Sequence, residues 1–167
     1  MAYGAFQKSE SQRNPAVGES PENQLATRVL WAGRGLVGLQ KNGFGEDPVF
    51  DCFVAEGGNT ADTGIVGYVM VSRIYSSWQG KSLRIGDLYV IEDHRRKGIG
   101  TQLLRRVMKE CEDQGCRRID CSPQLVNKAL ISFLKKHGAK DMTSEDGWSY
   151  YQLSQENMQK LVATSIK

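Results

Sequence analysis

The residues with the clearest chemical potential stand in HRRKGIGT, His94 to Thr101, where Arg95, Arg96 and Lys97 run straight into Gly98 and Gly100. Directly after them, apolar residues return at helical spacing in TQLLRRVMKEC. The first turn of a helix carries backbone N–H groups without intrahelical partners and the positive end of the helix dipole, so it favours an anion. Glycine lets that backbone approach the anion with no Cβ in the way. The chemistry on offer is capture of a phosphate, of a nucleic-acid backbone, or, in the plainest case, a solvated basic turn. Two phosphate loops are excluded residue by residue. Leu103 stands where the dinucleotide fingerprint needs its third glycine, and no Gly-Lys-Ser/Thr follows as in a P-loop. What remains is Arg-x-x-Gly-x-Gly.

Other chemistries find less support. Cys52, Cys111, Cys116 and Cys121 form no CxxC pair, and His94 and His137 are the only histidines, so no metal site is expected. Unpaired cysteines read as thiols in a reducing, cytoplasmic setting. A net charge of +3 with interspersed signs is too weak a field to argue for nucleic acid. No apolar run reaches a membrane span, and MAYGAFQKSESQRNP lacks a signal-peptide core, so neither membrane nor nucleic acid is expected as a partner.

The elements that must position the loop follow from periodicity. Roughly the first 28 residues are polar and aperiodic and read as disordered or loosely attached, and 29–47 as Gly-punctuated, with a short helical piece. PVFDCFVAE, GIVGYVMVSRIY and SLRIGDLYVIE read as strands, with GGNTADTG and SSWQGK as connections. Ile99, Leu103, Leu104, Val107, Met108 and Cys111 form one face of a helix that Gly115 ends, with Gln102, Arg105, Arg106, Lys109 and Glu112 opposite. RRIDCS is a further strand, VNKALISFLKKHG a second helix, GWSYYQL an alternating strand, and SQENMQKLVATS a terminal helix capped by Ser154. Antiparallel strands followed by strand–helix–strand–helix–strand predict an α+β fold around one mixed sheet flanked by helices.

With its flanks, the loop resembles the acetyl-CoA pyrophosphate loop of the GNAT superfamily of N-acetyltransferases. NGFGEDPVFDCFVAE, IVGY, the Trp78-Gln-Gly-Lys link, DLYVIEDHRRKGIG and GAKDMTSEDGW are similar, in order and spacing, to the spermidine/spermine (diamine) N-acetyltransferases and their thialysine-acetylating relatives. The likeness runs from about Gly43 to Leu153, which sets a domain over 41–167 against a poorly matched segment over 1–40. It implies acetyl transfer from acetyl-CoA to a primary amine of a small polyamine, diamine or thialysine-like substrate. It places pantetheine and thioester at Leu88, Tyr89 and Val90, and pyrophosphate at the loop of Arg95, Arg96, Lys97, Gly98, Ile99, Gly100 and Thr101. Asn127, Lys128, Ala129 and Leu130 would complete the CoA site. The amine side would draw on Gly86, Asp87, Asp120, Cys121, Ser122, Asp146 and Trp148, since carboxylates with an aromatic face suit an organic cation. A homodimer with sites near the SEDGWSYYQL segment is implied as well.

The sequence also departs from that family. The family's catalytic tyrosine, which returns a proton to the leaving thiolate, falls at Leu134, and Leu cannot donate one. The first carboxylate of an acidic pair falls at Gly86, leaving Asp87 as the acid, and a tryptophan falls at Val126. A silent acetyl-CoA binder with the same fold is therefore the alternative to an active enzyme.

Overall fold

The computed structural model describes residues 7–8, 41–57 and 64–163. They belong to two compact units, Met1–Ser122 and Pro123–Lys167.

The first unit is a sheet of five strands in sequence order: β1 (Gln7–Lys8), β2 (Phe50–Glu56), β3 (Ile65–Ser76), β4 (Gly80–Val90) and β5 (Ile119–Cys121). Neighbours are antiparallel as far as β4, and β4 pairs with β5 in parallel. That parallel step requires a crossover, supplied by α1 (Ile99–Asp113). The mixed sheet agrees with the sequence reading. RRIDCS shortens to its central Ile119–Cys121. Within the segment read as loosely attached, Gln7–Lys8 instead joins the sheet edge opposite Val54 and Phe53. The rest of that reading lies outside the described residues, and the expected helical piece is present as 41–44.

The core divides by strand alternation. Phe53, Val69, Val71, Leu83 and Ile85 share the face against which α1 lays Ile99, Leu103, Leu104, Val107 and Cys111, all buried. The other face carries Cys52, Val54 and Tyr68, with Phe44, Phe50, Ile65 and Met70 packed against them. Two α1 assignments change. Met108 is exposed, being one step round from the buried stripe. Arg106, read as solvent-facing, sets its guanidinium 4.4 Å from the centre of the Phe53 ring and pairs with Glu110 at 2.9 Å. The long methylene stem of arginine is what lets a charged residue take a place beside the core.

The second unit holds α2 (Lys128–Lys136), α3 (Met142–Asp146) and α4 (Gln155–Ala163). Each begins on a side-chain cap: Asn127 accepts from Leu130 N at 3.1 Å, Asp141 from Thr143 N at 3.2 Å, and Ser154 from Asn157 N at 3.2 Å, the last as expected. GWSYYQL is not a strand. Alternation makes a strand only when an edge and a burying face receive it. Here 147–154 pair with no strand among the described residues, and Trp148, Tyr150, Tyr151 and Leu153 are exposed.

Candidate active site

The site begins with a break in register on β4. Val71 lies opposite Ile85 and Met70 opposite Asp87, so Gly86 is the extra residue of a β-bulge. On the other side of β4, β5 accompanies only Leu83, Arg84 and Ile85. From the bulge to Val90, no strand among the described residues pairs with β4 on that side, and its edge there is open. Alternation shows which groups line that edge. Ile91 N donates to Val66 O on β3 at 2.9 Å, so Ile91, Tyr89 and Asp87 turn their backbone groups toward β3. Leu88 and Val90 therefore turn theirs outward. Before the bulge the parity is opposite, since Leu83 N donates across to Arg118 O at 3.2 Å. The inserted glycine is what re-aims the backbone.

A short 3-10 turn, Glu92–His94, carries the chain off β4. Arg96 then takes φ 59 and Gly98 φ 87, and α1 starts at Ile99. Gly98 is the N-cap, and no side chain caps the helix. No acidic residue stands in its first turn. The first intrahelical bond is Gln102 N to Gly98 O at 3.0 Å. A helix start with neither a capping oxygen nor a carboxylate, entered through left-handed backbone, fits a phosphate. The loop residues Arg95–Thr101 thus lie at the end of the open edge formed by Leu88–Val90.

Gly67, absent from the sequence reading, holds these parts together. A Cβ there would sit 2.9 Å from Tyr89 O, 3.3 Å from Val90 Cγ2 and 3.4 Å from Ile99 Cγ2. Only glycine lets β3 pass so close beneath both the open edge and the start of α1. Gly67→Ala is expected to cost about 1–3 kcal/mol of stability, as overpacking does, and to raise KM for acetyl-CoA. Urea unfolding together with initial rates checks both effects.

Asp87 and Tyr89 share a face of β4 with Tyr68, their neighbour on β3. The Tyr68 and Tyr89 rings are 6.0 Å apart. Burial, and next the Asp87 carboxylate, hold the Tyr68 hydroxyl well above the ordinary tyrosine range, so it stays protonated at any working pH. Asp87 itself is exposed. Across the sheet, Asp120 and Cys121 stand opposite Arg84 and Ile85, where β5 leaves β4, and Ser122 follows. Asp120 is engaged locally, 2.9 Å from Arg118 Nε. Burial pushes the Cys121 thiol up, which argues against a nucleophilic thiolate there.

The remaining candidates lie in the second unit. Asn127 is the cap of α2, Lys128, Ala129 and Leu130 form its first turn, and Leu134 is a half-buried residue further along. Asp146 ends α3 and Trp148 is exposed two residues on. Among the described residues, no helix is long and apolar enough to cross a membrane, and no three His, Cys, Asp or Glu side chains cluster as metal ligands would.

Comparison with known proteins fits this geometry. A family model described as the acetyltransferase (GNAT) family matches residues 20–139. The chain belongs to the GNAT family. It is 34% identical over 127 residues to the mouse thialysine N-epsilon-acetyltransferase, covering 74% of this chain and 75% of that one. It is 31% identical over 140 residues to the human spermidine/spermine N(1)-acetyltransferase-like protein 1, covering 82% of this chain and 20% of that one. Among solved structures, an integron cassette protein of V. cholerae aligns with a TM-score of 0.69 at 18% identity, over 96% of this chain and 98% of that one. A ribosomal-protein-alanine N-acetyltransferase from Brucella melitensis aligns at 0.64 and 17%, over 90% and 97%. The fold is the GNAT fold, and this GNAT protein is an acetyl-CoA-dependent N-acetyltransferase.

Proposed function

We propose that this acetyltransferase moves acetyl from acetyl-CoA to a primary amine of a small cationic substrate, of the polyamine, diamine or thialysine type. The observation that carries the reading is the meeting, over the last residues of β4, of an open strand edge, an uncapped helix start and an acidic, aromatic face. Acetyl-CoA supplies an activated thioester. The loop from Arg96 to Thr101 takes its pyrophosphate on backbone N–H groups. Leu88 and Val90 hold the pantetheine from the open edge, and their backbone groups align and polarise the thioester. Asp87, with the Tyr89 ring beside it, draws the ammonium in and orients it. Asn127–Leu130, Asp146, Trp148, the β5 residues Asp120 and Cys121, and Ser122 after them are assigned to the same reaction on the strength of the resemblance alone. The names of the relatives support the substrate class. They also favour an active enzyme over a silent binder.

Two further parts of the reading concern its setting. The exposed Trp148, Tyr150, Tyr151 and Leu153 support a homodimer, which light scattering tests directly: a monomer at micromolar concentration retires it. Four free cysteines support a reducing, cytoplasmic location.

The assay is release of free thiol from acetyl-CoA with a panel of amines: spermidine, putrescine, thialysine, lysine and a neutral aromatic amine. Release with the small cations and not with the neutral amine is expected. Equal rates across the panel, or none above background despite acetyl-CoA binding, would sink the substrate assignment.

A further inference from the structure

The side chain of Arg95 does not point along the loop toward the helix start. It folds back. Its Nε donates to Val90 O at 2.9 Å, and its guanidinium carbon stands 5.7 Å from the centre of the Tyr89 ring. Its own N–H is already tied to Glu92 O at 3.0 Å, and its backbone is extended at φ −69 and ψ 162. Arg95 is thus held at both ends while the next residue, Arg96, swings into left-handed backbone. The carbonyl it grips matters. Val90 is the last residue of β4, and by the alternation set by Ile91 its carbonyl belongs to the open edge. One guanidinium therefore joins three parts: the end of that edge, the acidic and aromatic face through Tyr89, and the loop that leads to α1.

We propose that Arg95 is a positioning residue for the thioester, acting through Val90 and Tyr89 rather than by contact with the pyrophosphate. The proposal rests on the function proposed above. The Val90–Ile91 peptide is held on one side only by strand pairing, through Ile91 N donating to Val66 O at 2.9 Å, while on the other side no strand among the described residues receives its carbonyl. The charge-assisted hydrogen bond from Arg95 holds that same peptide from its open side, and the ring contact fixes the guanidinium. The open edge then presents its groups to the pantetheine in one arrangement. The pyrophosphate cradle at Gly98 and the start of α1 is built from main chain and does not need the Arg95 side chain. The two halves of the CoA molecule are thereby recognised by separable features of one loop.

The test uses the full-length protein and two ligands: acetyl-CoA, and adenosine 3′-phosphate 5′-diphosphate, which keeps the pyrophosphate but lacks pantetheine. Arg95→Ala is expected to raise KM for acetyl-CoA by about tenfold or more, the scale of a hydrogen bond to a charged group. Binding of the pantetheine-free fragment should stay within about twofold of wild type, by the same separation of roles. Arg95→Gln keeps a planar N–H donor able to reach Val90 O and should restore most of the loss. Arg95→Lys keeps the charge but not the planar fork and should restore less. Equal weakening of both ligands in Arg95→Ala would overturn the proposal in favour of direct phosphate contact. So would rescue by Lys and not by Gln, the order that a point charge on phosphate predicts. If Arg95→Ala fails to fold, the Gln and Lys variants still decide between the two orders. Wild-type protein that binds neither ligand overturns the underlying reading as well, whereas wild-type binding with an unaltered Arg95→Ala overturns this inference alone.

Discussion

Replacing Leu134 by tyrosine is expected to raise turnover at saturating acetyl-CoA by about tenfold or more, since a placed general acid contributes ~10²–10⁴ in rate. The thiolate leaving the thioester must be protonated or stabilised, and a leucine offers it nothing. In the resembling family a tyrosine stands at this point of the helix. The host helix accommodates the change cheaply. α2 is capped at Asn127, Leu134 is only half-buried, and leucine and tyrosine differ in helix propensity by a few tenths of a kcal/mol. The effect should fall on kcat while KM for acetyl-CoA changes little. It also has its own pH signature. The added phenol acts only while protonated, so the gain should vanish as pH rises through about 10, the ordinary tyrosine value. Stopped-time thiol release across pH measures both quantities. An unchanged kcat would mean that this residue does not face the leaving sulfur and that the protonated donor is elsewhere. Tyr68, buried and kept protonated beside Asp87, would then be the next group to substitute.

Much of this site could be read from the chain because its chemistry is local. The Arg95–Gly100 loop is a contiguous stretch whose glycines and helical periodicity announce a helix start, and α1 begins at Ile99 as the pattern requires. The strands β2, β3 and β4 were likewise legible, since β2 and β3 carry apolar runs and β4 sets Leu83 and Ile85 in alternation with polar residues before Leu88–Val90. What escaped depends on partners distant in sequence. The bulge at Gly86 is a register shift between two strands, and register is set by the pair. A signal did exist, because an isolated glycine within a strand pattern points to a bulge or a close approach. Gly86 and Gly67 turn out to be one of each. The fold-back of Arg95 onto Val90 is a rotamer choice with no trace in composition. GWSYYQL failed for the opposite reason: its alternation is a valid local signal, but a strand exists only where another edge accepts it. Met108 and Arg106 show the same limit on a helix, where a 3.6-residue period fixes the stripe but not its borders.

Gly98→Val is expected to weaken acetyl-CoA binding by about a hundredfold. Two costs add at this residue. The backbone sits at φ 87, which a β-branched residue adopts only under strain of about 1–3 kcal/mol. The second cost falls on the ligand. Gly98 is exposed, and a Cβ there would meet nothing nearer than Gln102 Nε2 at 4.0 Å, so the free protein has room for the new side chain. The space it fills lies at the uncapped start of α1, whose N–H groups are the ones proposed to receive the pyrophosphate. Either the backbone leaves its left-handed turn and re-aims those N–H groups, or it stays and the isopropyl group stands where the anion belongs. Both outcomes forfeit charge-assisted hydrogen bonds to phosphate, each worth about 1.5–3 kcal/mol. Gly98→Ala separates the contributions, because it carries most of the backbone strain but less of the bulk, and should fall between wild type and valine. Titration calorimetry with acetyl-CoA measures the affinities, and urea unfolding measures the strain. Valine that binds as tightly as glycine would show that phosphate does not sit on this helix start, and the assignment of the Arg95–Thr101 loop would fall with it.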